Sequence, residues 1–240
     1  MKQDIQKATK LFWDVRKTKG VRSGKTLDGF RDVIQSAVES SGLENISIYV
    51  GKNDSQLPGY FRPHKSWDVV ILSDNKLVAA IELKSQVGSI GNNFNNRTEE
   101  VLGSGIDLFT AVQEEAFGDD AEVFRGYLIL VEDSEQTRKS AKVNMSHFQV
   151  MPGFLKDETE RSAHQRNKKG VYPPIAGVSY LKRYDMLCKR LVLKNLYTAA
   201  GLVLLDMENK GDYRDYTSQT SIETFLQKLK NHCDLLATYK

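Results

Sequence analysis

Residues Trp67–Lys84 read WDVVILSDNKLVAAIELK, two apolar runs joined by a short polar link. The runs, residues 67–72 and 77–83, are almost continuously apolar, which is typical of strands covered on both faces. A polar link of this length favours an antiparallel hairpin. We therefore expect a β-hairpin in the middle of a sheet, with layers packed on both of its faces.

The pairing of this hairpin determines where its charged residues lie. We expect a three-residue loop, Asp74–Lys76, which places Asp68 directly opposite Glu82 with Cβ atoms about 5 Å apart. Lys84 then shares a face with Glu82, because side chains alternate along a strand. A loop of even length would instead put the two carboxylates on opposite faces of the hairpin.

Asp68, Glu82 and Lys84 would together form a cation site. Two close carboxylates repel each other and resist desolvation, and one lysine does not fully offset both. Oxygen ligands without Cys or His favour Mg²⁺, with Mn²⁺ as a substitute, over zinc. Such an ion activates water and stabilises charge on a phosphate, while Lys84 positions or deprotonates the nucleophile. The alternative is an ion-pair cluster at a sheet end, and spacing alone does not separate the two.

Periodicity around the hairpin predicts alternating helices and strands. Asn96 followed by Glu99 resembles a capping box, so we expect a helix to begin there, bury Leu102 and Ile106, and end near Gly118. The other predicted helices cover residues 2–17, 27–41, 181–192 (stopped by Gly201) and 222–233, and the other predicted strands cover residues 46–50, 127–131 and 202–205. The predicted fold class is α/β, one domain over residues 1–240 with a mixed central β-sheet flanked by helices.

Composition is that of an ordinary globular chain. The 240 residues are 40% hydrophobic and 27% charged, with two cysteines, which cannot supply a disulfide framework or a four-cysteine zinc site. No apolar run approaches the roughly 18 residues that span a bilayer, so no membrane partner is expected. The first residues lack an apolar signal segment, and a cytoplasmic location is the expectation.

Charge is distributed unevenly along the chain. Residues 73–135 carry a net charge of −9, whereas residues 138–200 carry +9. An acidic segment could supply cation ligands beside a basic surface that attracts phosphate, although the two could also be solvated faces that fold against each other. Residues 156–176 form the longest irregular polar stretch, and a loop of this length is usually functional or disordered.

Six blocks of sequence resemble one known family. They are residues 57–68 (LPGYFRPHKSWD), 77–88 (LVAAIELKSQVG), 91–100 (GNNFNNRTEE), 107–111 (DLFTA), 126–133 (GYLILVED) and 179–188 (SYLKRYDMLC). Together they resemble the XhoI family of type II restriction endonucleases, over about residues 57 to 200. The most specific block is NNFNNR, residues 92–97.

This resemblance implies a restriction-endonuclease-like PD-(D/E)XK core at about residues 30–135, with Asp68, Glu82 and Lys84 in its catalytic positions and Asp68 and Glu82 as metal ligands. The first motif reads Trp-Asp here, where the superfamily has a weakly kept Pro-Asp. The implied activity is Mg²⁺-dependent cleavage of double-stranded DNA at the palindrome CTCGAG, by a homodimer, leaving 5′-phosphate ends. A helix carboxylate often assists in this fold, and Glu39 is the candidate, with a solvated surface position as the alternative.

Residues for DNA binding follow from the same resemblance and from side-chain chemistry. Asn amides can bond adenine edges and Arg can bond guanine, whereas the alternative for an asparagine-rich block is a turn that caps a helix, which is favoured for Asn96. The candidates for base contacts are Asn92, Asn93, Asn95, Asn96 and Arg97. The candidates for backbone contacts are Arg62, His64 and Lys65, together with Arg161, Arg166, Lys168 and Lys169 in a basic DNA-embracing segment at about residues 138–200.

Two further functions are compatible with these residues: a repair or junction-resolving nuclease of the same core, and a non-catalytic DNA-binding protein whose acidic cluster is structural. Residues 20–26, GVRSGKT, are similar to a phosphate-binding loop but are one residue short between the glycines and follow no apolar strand. No nucleotide cofactor is therefore expected.

Overall fold

The computed structural model describes residues 1–20, 23, 25–51 and 53–239, so residues 20–26 lie partly outside the described chain. Its α-helices are α1 (Lys2–Lys19), α2 (Asp28–Glu39), α3 (Ile90–Gln113), α4 (Glu135–Arg138), α5 (Tyr180–Leu193) and α6 (Ile222–Thr238). Its strands are β1 (Ile46–Tyr49), β2 (Gln56–Leu57), β3 (Lys65–Ser66), β4 (Val69–Ser73), β5 (Lys76–Gln86), β6 (Phe124–Asp133), β7 (Ser140–Val143), β8 (Ile175–Ser179), β9 (Ala199–Asp206) and β10 (Tyr213–Asp215).

Six strands form a mixed central sheet in the order β1-β4-β5-β6-β9-β10. The three middle strands β5, β6 and β9 are parallel, and the outer pairings are antiparallel. Helices α1, α2 and α6 cover one face of the sheet, and α3 and α5 cover the other. The predicted α/β fold class, with a mixed sheet flanked by helices, is confirmed. Among the described residues, no helix has the length and apolar character needed to cross a membrane.

Burial on both faces explains why the central strands are almost continuously apolar. Every residue of β6 is buried. Phe124 and Leu128 pack into the core under α1, α2 and α6, whereas Tyr127 and Ile129 pack into the core under α3 and α5. The side chains on both faces of β6 lie in an apolar core. Polar and apolar residues therefore do not alternate along this strand.

The hairpin turn is shorter than expected, yet the expected pairing is present. Asp74 and Asn75 both have positive φ, 49° and 63°, which makes a two-residue turn of the type that matches strand twist. The predicted three-residue loop is therefore wrong. A β-bulge leaves Val78 unpaired and shifts the register by one residue, so that Val69 faces Ile81. The bulge gives β4 and β5 the register that a three-residue loop would have produced, although the turn itself has two residues.

Helix α3 begins six residues before the predicted start. Asn96 is not its N-cap, because the fully buried Ile90 opens the helix and Phe94 packs edge-on against Tyr184 with ring centroids 5.0 Å apart. These two apolar side chains extend the buried stripe by more than one turn towards the N-terminus.

Three further predictions about helix faces and ends were wrong. Leu102 and Ile106 are exposed, since Val101 and Leu108 face the core instead. Helix α3 ends at Gln113, before Gly118. Gly201 lies inside β9, where a Cβ would come within 2.6 Å of Leu128 Cδ1, so its small size serves strand packing and not a helix stop.

Residues 144–174 form a long excursion on a two-stranded ribbon, β7–β8, in which Val143 pairs with Ile175. Its own side chains hold it together. Arg161 Nη1 donates to the carbonyl of Val150 at 2.6 Å, and Gln149 Nε2 donates to the carbonyl of His164 at 2.6 Å. We call residues 139–179 the arm.

Asp215 at the end of β10 gives a pH-dependent prediction. Burial, and then the neighbouring carboxylate of Glu223, raise the pKa of Asp215 to about 6. A raised folded-state pKa costs stability once pH exceeds the unfolded value, and the cost is complete above the folded value. Asp215→Asn should therefore increase the free energy of unfolding by about 1 kcal/mol at pH 7.5, after allowance for solvent screening, and by nothing near pH 3.5.

Urea unfolding at both pH values measures this difference. The control is Asp14→Asn, which removes an exposed carboxylate of α1 and should leave stability unchanged at both pH values. An equal gain from Asp215→Asn at the two pH values would contradict the electrostatic explanation.

Candidate active site

Asp68, Glu82 and Lys84 come together where β4 begins and β5 continues beyond it. The Asp68 backbone N–H donates to the carbonyl of Ile81 at 3.1 Å, immediately before the first residue pair of β4 and β5, Val69 with Ile81, so Asp68 lies beside this part of β5. The Asp68 Oδ2 atom accepts a hydrogen bond from the Leu83 backbone N–H at 2.8 Å. Asp68 thus lies beside Leu83 and near the charge of Glu82, but outside the paired residues of the hairpin, which end at Val69 and Ile81.

The carboxylate of Glu82 lies between two ammonium groups. Lys84 Nζ bonds Glu82 Oε1, and Lys65 Nζ bonds Glu82 Oε2. Only 6% of the Glu82 side chain is exposed. Burial favours the neutral acid, but Lys84 and Lys65 outweigh it and hold the pKa of Glu82 below its usual value. Glu82 is therefore a buried, fully compensated carboxylate.

Asp68 has the opposite electrostatic environment. Burial and then the charge of Glu82 raise the pKa of Asp68, against the Leu83 N–H, Lys84 and Arg31. The Arg31 guanidinium, from α2, approaches Asp68 Oδ1 only to 3.6 Å. Asp68 thus carries a charge that the protein alone stabilises poorly, as expected for a carboxylate that pairs with a cation from solution.

The donor set fits a hard divalent cation such as Mg²⁺. Asp68 and Glu82 supply oxygen ligands, and within the described ranges no group of three or more His, Cys, Asp or Glu side chains could hold a metal ion. Mg²⁺ is commonly bound by one or two carboxylates, with water and substrate phosphates completing its coordination. Because each oxygen of Glu82 already accepts from a lysine, a cation that binds Glu82 competes with two ammonium groups for its charge.

Lys65 is the residue whose place in this cluster the sequence analysis missed. It lies on the two-residue strand β3, next to Trp67, whose N–H donates to the Ser55 carbonyl at 2.9 Å and whose carbonyl accepts from Ser55 Oγ at 2.6 Å. Lys65 Nζ also lies 4.3 Å from the centroid of the Trp67 ring. A strand of two residues has no periodicity, so only its proximity in sequence to Asp68 could have signalled this role.

Glu39 is not brought to the cluster. Its side chain is exposed and accepts from Gln35 Nε2 at 2.7 Å. Helix α2 approaches Asp68 through Arg31, eight residues and about 12 Å along the helix axis from Glu39. The structure therefore places Glu39 away from the cluster, because α2 presents its first turn, with Arg31, to Asp68.

The two other candidates before β4 differ in their surroundings. Arg62 Nε donates to the buried Asp107 carboxylate at 2.6 Å, and the Phe61 backbone N–H donates to the other oxygen of Asp107 at 2.8 Å. Arg62 thus fastens its loop to α3. His64 is exposed.

The asparagine block lies on the first turns of α3 and divides by face. Asn92, Asn95 and Asn96 are exposed at helical spacing and so share one face. Asn93 Nδ2 instead donates to the Ser89 carbonyl at 3.1 Å, and Arg97 Nη1 pairs with Glu100 at 2.5 Å. Helix α3 begins four residues after the end of β5, the strand that carries Glu82, so the exposed amides follow the C-terminal end of that strand.

The basic candidates in the arm also divide into two groups. The Arg161 guanidinium is bound to Glu158 and to two backbone carbonyls, and Arg166 Nη2 donates to the His147 carbonyl at 2.8 Å. Both arginines therefore stabilise the arm. Lys168 and Lys169 lie in an exposed turn, where they can reach a partner.

The chain is similar in sequence to known restriction enzymes. The family model described as restriction endonuclease XhoI matches residues 8–159 and 155–218. The type II restriction enzyme XhoI of Xanthomonas vasicola is 42% identical over 177 residues, 73% of this chain and 63% of that protein. The type II restriction enzyme BstVI of Geobacillus stearothermophilus is 36% identical over 220 residues, 88% of each chain.

The type II restriction enzyme AbrI of Azospirillum brasilense is 46% identical over 125 residues, 52% of this chain and 56% of that protein. The matches thus span less than two thirds of the XhoI and AbrI enzymes and most of BstVI. No solved structure matches the chain.

Proposed function

This chain belongs to the XhoI family of restriction endonucleases, and from that premise we propose that it is a type II restriction endonuclease that hydrolyses both strands of duplex DNA. The observation that carries the proposal is the meeting of Asp68, Glu82 and Lys84 at one end of the hairpin, inside the part of the chain that matches the family. Two facing carboxylates beside an amine are suited to metal-assisted hydrolysis of a phosphodiester.

The proposed substrate is a short palindrome, 5′-CTCGAG-3′, cut to leave 5′-phosphate ends. The palindrome is the one implied by the resemblance in sequence. A palindromic site presents two equivalent scissile bonds, which a two-fold symmetric homodimer can address with one active site each. We propose that the working enzyme is such a dimer, within the cytoplasm, where its DNA substrate would be.

In this proposal Asp68 and Glu82 hold Mg²⁺, for which Mn²⁺ can substitute. The ion would lower the pKa of a water molecule and neutralise charge developing on the phosphate. The Leu83 N–H fixes the orientation of the Asp68 carboxylate. Lys84, whose ammonium group already contacts Glu82, is placed to orient the attacking water with a charge-assisted hydrogen bond.

For DNA binding, the proposal gives base readout to the exposed asparagine face of α3 and phosphate contacts to the arm. Asn92, Asn95 and Asn96 offer amide groups of the kind that bond adenine edges in the major groove. Lys168 and Lys169 offer exposed ammonium groups that can pair with phosphates without reading sequence. The arm makes up part of the basic segment at about residues 138–200.

A cleavage assay tests this function. The purified chain is incubated with Mg²⁺ and a plasmid that holds a single CTCGAG site, and the ends are sequenced. The expected result is one linear product, cut at the same position on both strands of that site. A plasmid that differs only by CTCCAG at this position is the control and should stay uncut. A smear, or structure-specific cutting of branched DNA, would indicate a repair nuclease instead.

A further inference from the structure

We propose that Lys65 is a positioning residue that acts as a built-in counter-ion of Glu82, holding the cation site closed until a divalent ion displaces it. This inference deepens the proposed function and rests on it, since the ion concerned is the one used for cleavage. Lys65 would then neutralise Glu82 in the metal-free enzyme, as the divalent ion does in the metal-bound enzyme. Replacing Lys65 by a neutral residue should therefore raise the affinity of the site for metal.

Charge balance in the cluster supports a displacement. Asp68 and Glu82 are matched by Lys65 and Lys84, with Arg31 a further 3.6 Å contact to Asp68. A divalent ion added to this set would leave a large excess of positive charge in a buried site, which is unfavourable. Either an ammonium group must withdraw from Glu82, or negative phosphates must arrive with the ion, or both.

The fold indicates which lysine withdraws. Lys84 lies inside β5, where its backbone pairs with Ile129 of β6 in the centre of the sheet. Lys65 lies on β3, which pairs with β2 alone in a small ribbon outside the central sheet. The Lys84 backbone is therefore held in register by the long central strand β6, whereas the strand that carries Lys65 has one short partner.

Lys65 also has other partners for its ammonium group once it leaves Glu82. Its Nζ atom already lies 3.0 Å from the Ser66 carbonyl and 4.3 Å from the centroid of the buried Trp67 ring. A carbonyl and an aromatic face both stabilise a cation at a partly buried position. The side chain, 13% exposed, can thus release the carboxylate without exposing an unpaired charge to an apolar environment.

The experiment measures metal affinity without DNA. Mn²⁺ is titrated into the wild-type chain and into Lys65→Met by calorimetry, at a pH where the protein is folded. Lys65→Met should bind Mn²⁺ about tenfold more tightly, since a competing cation is gone while Asp68 and Glu82 remain. Lys65→Arg, which keeps the charge, should bind close to the wild-type value.

The matched control is Lys76→Met, at the turn end of β5, where the lysine is 73% exposed and pairs with Asp120. It should not alter Mn²⁺ affinity. Unchanged or weaker Mn²⁺ binding by Lys65→Met would overturn the proposal. Weaker binding is the result expected if Lys65 only maintains the structure of the site.

Lys65→Gln provides a second neutral variant if the methionine variant does not fold, with the same expected sign. The outcome is separate from that of the proposed function. A wild-type chain that cuts no DNA, but whose Mn²⁺ affinity still rises on loss of Lys65, would refute the nuclease function and leave the counter-ion role intact.

Discussion

Asp68→Asn should reduce DNA cleavage by at least about a thousandfold while DNA binding is retained. The amide keeps an oxygen that can accept from the Leu83 N–H, so the hairpin end should stay folded. The substitution removes the negative charge that would pair with a divalent cation. Lys84→Met should have an effect of similar size, because it removes the ammonium group beside Glu82.

Single-turnover cleavage of a duplex with one CTCGAG site, in Mg²⁺, measures the loss, and fluorescence anisotropy in Ca²⁺ measures binding. Glu39→Gln is the matched carboxylate control, because Glu39 lies at the far end of α2 and should retain wild-type cleavage. Cleavage by Asp68→Asn within about tenfold of wild type, or loss of cleavage in Glu39→Gln, would contradict this description of the site.

Replacing Asn92, Asn95 and Asn96 together by alanine should abolish sequence-specific cleavage, by about a thousandfold or more. Each amide that bonds a base edge is worth about 1–3 kcal/mol of discrimination, and the three share the exposed face of α3. Helix stability should not suffer, since alanine is a better helix former than asparagine. Any loss therefore reports on DNA contacts and not on folding.

The control for this face is Asn93→Ala, whose amide bonds the Ser89 carbonyl and does not share the exposed face. It should lower specific cleavage far less than the triple variant. Affinity for non-specific DNA, and its salt dependence, should be unchanged in the triple variant because no phosphate-binding charge is lost. An equal fall in specific and non-specific affinity would indicate that the asparagines contact the backbone instead.

The sequence predicted the fold class and the meeting of the three principal site residues. Apolar runs between residues 67 and 83 indicated a doubly covered sheet, and alternation put Glu82 and Lys84 on one face. The pairing of Asp68 with Glu82 was predicted from the wrong loop length. The strand register that it requires is nonetheless present from Val69 to Ile71, because a bulge at Val78 offsets the two-residue turn, and Asp68 lies just before the first paired residue. Neither the bulge nor the turn type could be read from hydrophobic pattern alone.

Helix α3 shows how packing between distant elements overrides a local signal. Asn96 and Glu99 form a plausible start for a helix, but Phe94 contacts Tyr184 of α5, ninety residues later in the chain. That contact, with burial of Ile90, favours a helix that begins earlier and exposes the asparagines on one face. The choice between a capping loop and an exposed helix face for the asparagines therefore depended on a long-range contact.

The pattern of residues along two strands was enough to predict an α/β sheet with Asp68, Glu82 and Lys84 at one place, because alternation is a property of the strand itself. Which further residues reach that place depended on packing between separate elements. Arg31 approaches Asp68 and Glu39 does not, because the first turn of α2, and not its last, lies near the cluster. Lys65 joins the cluster because a two-residue strand is fixed by Ser55 and Trp67, and such contacts leave no periodic trace in the chain.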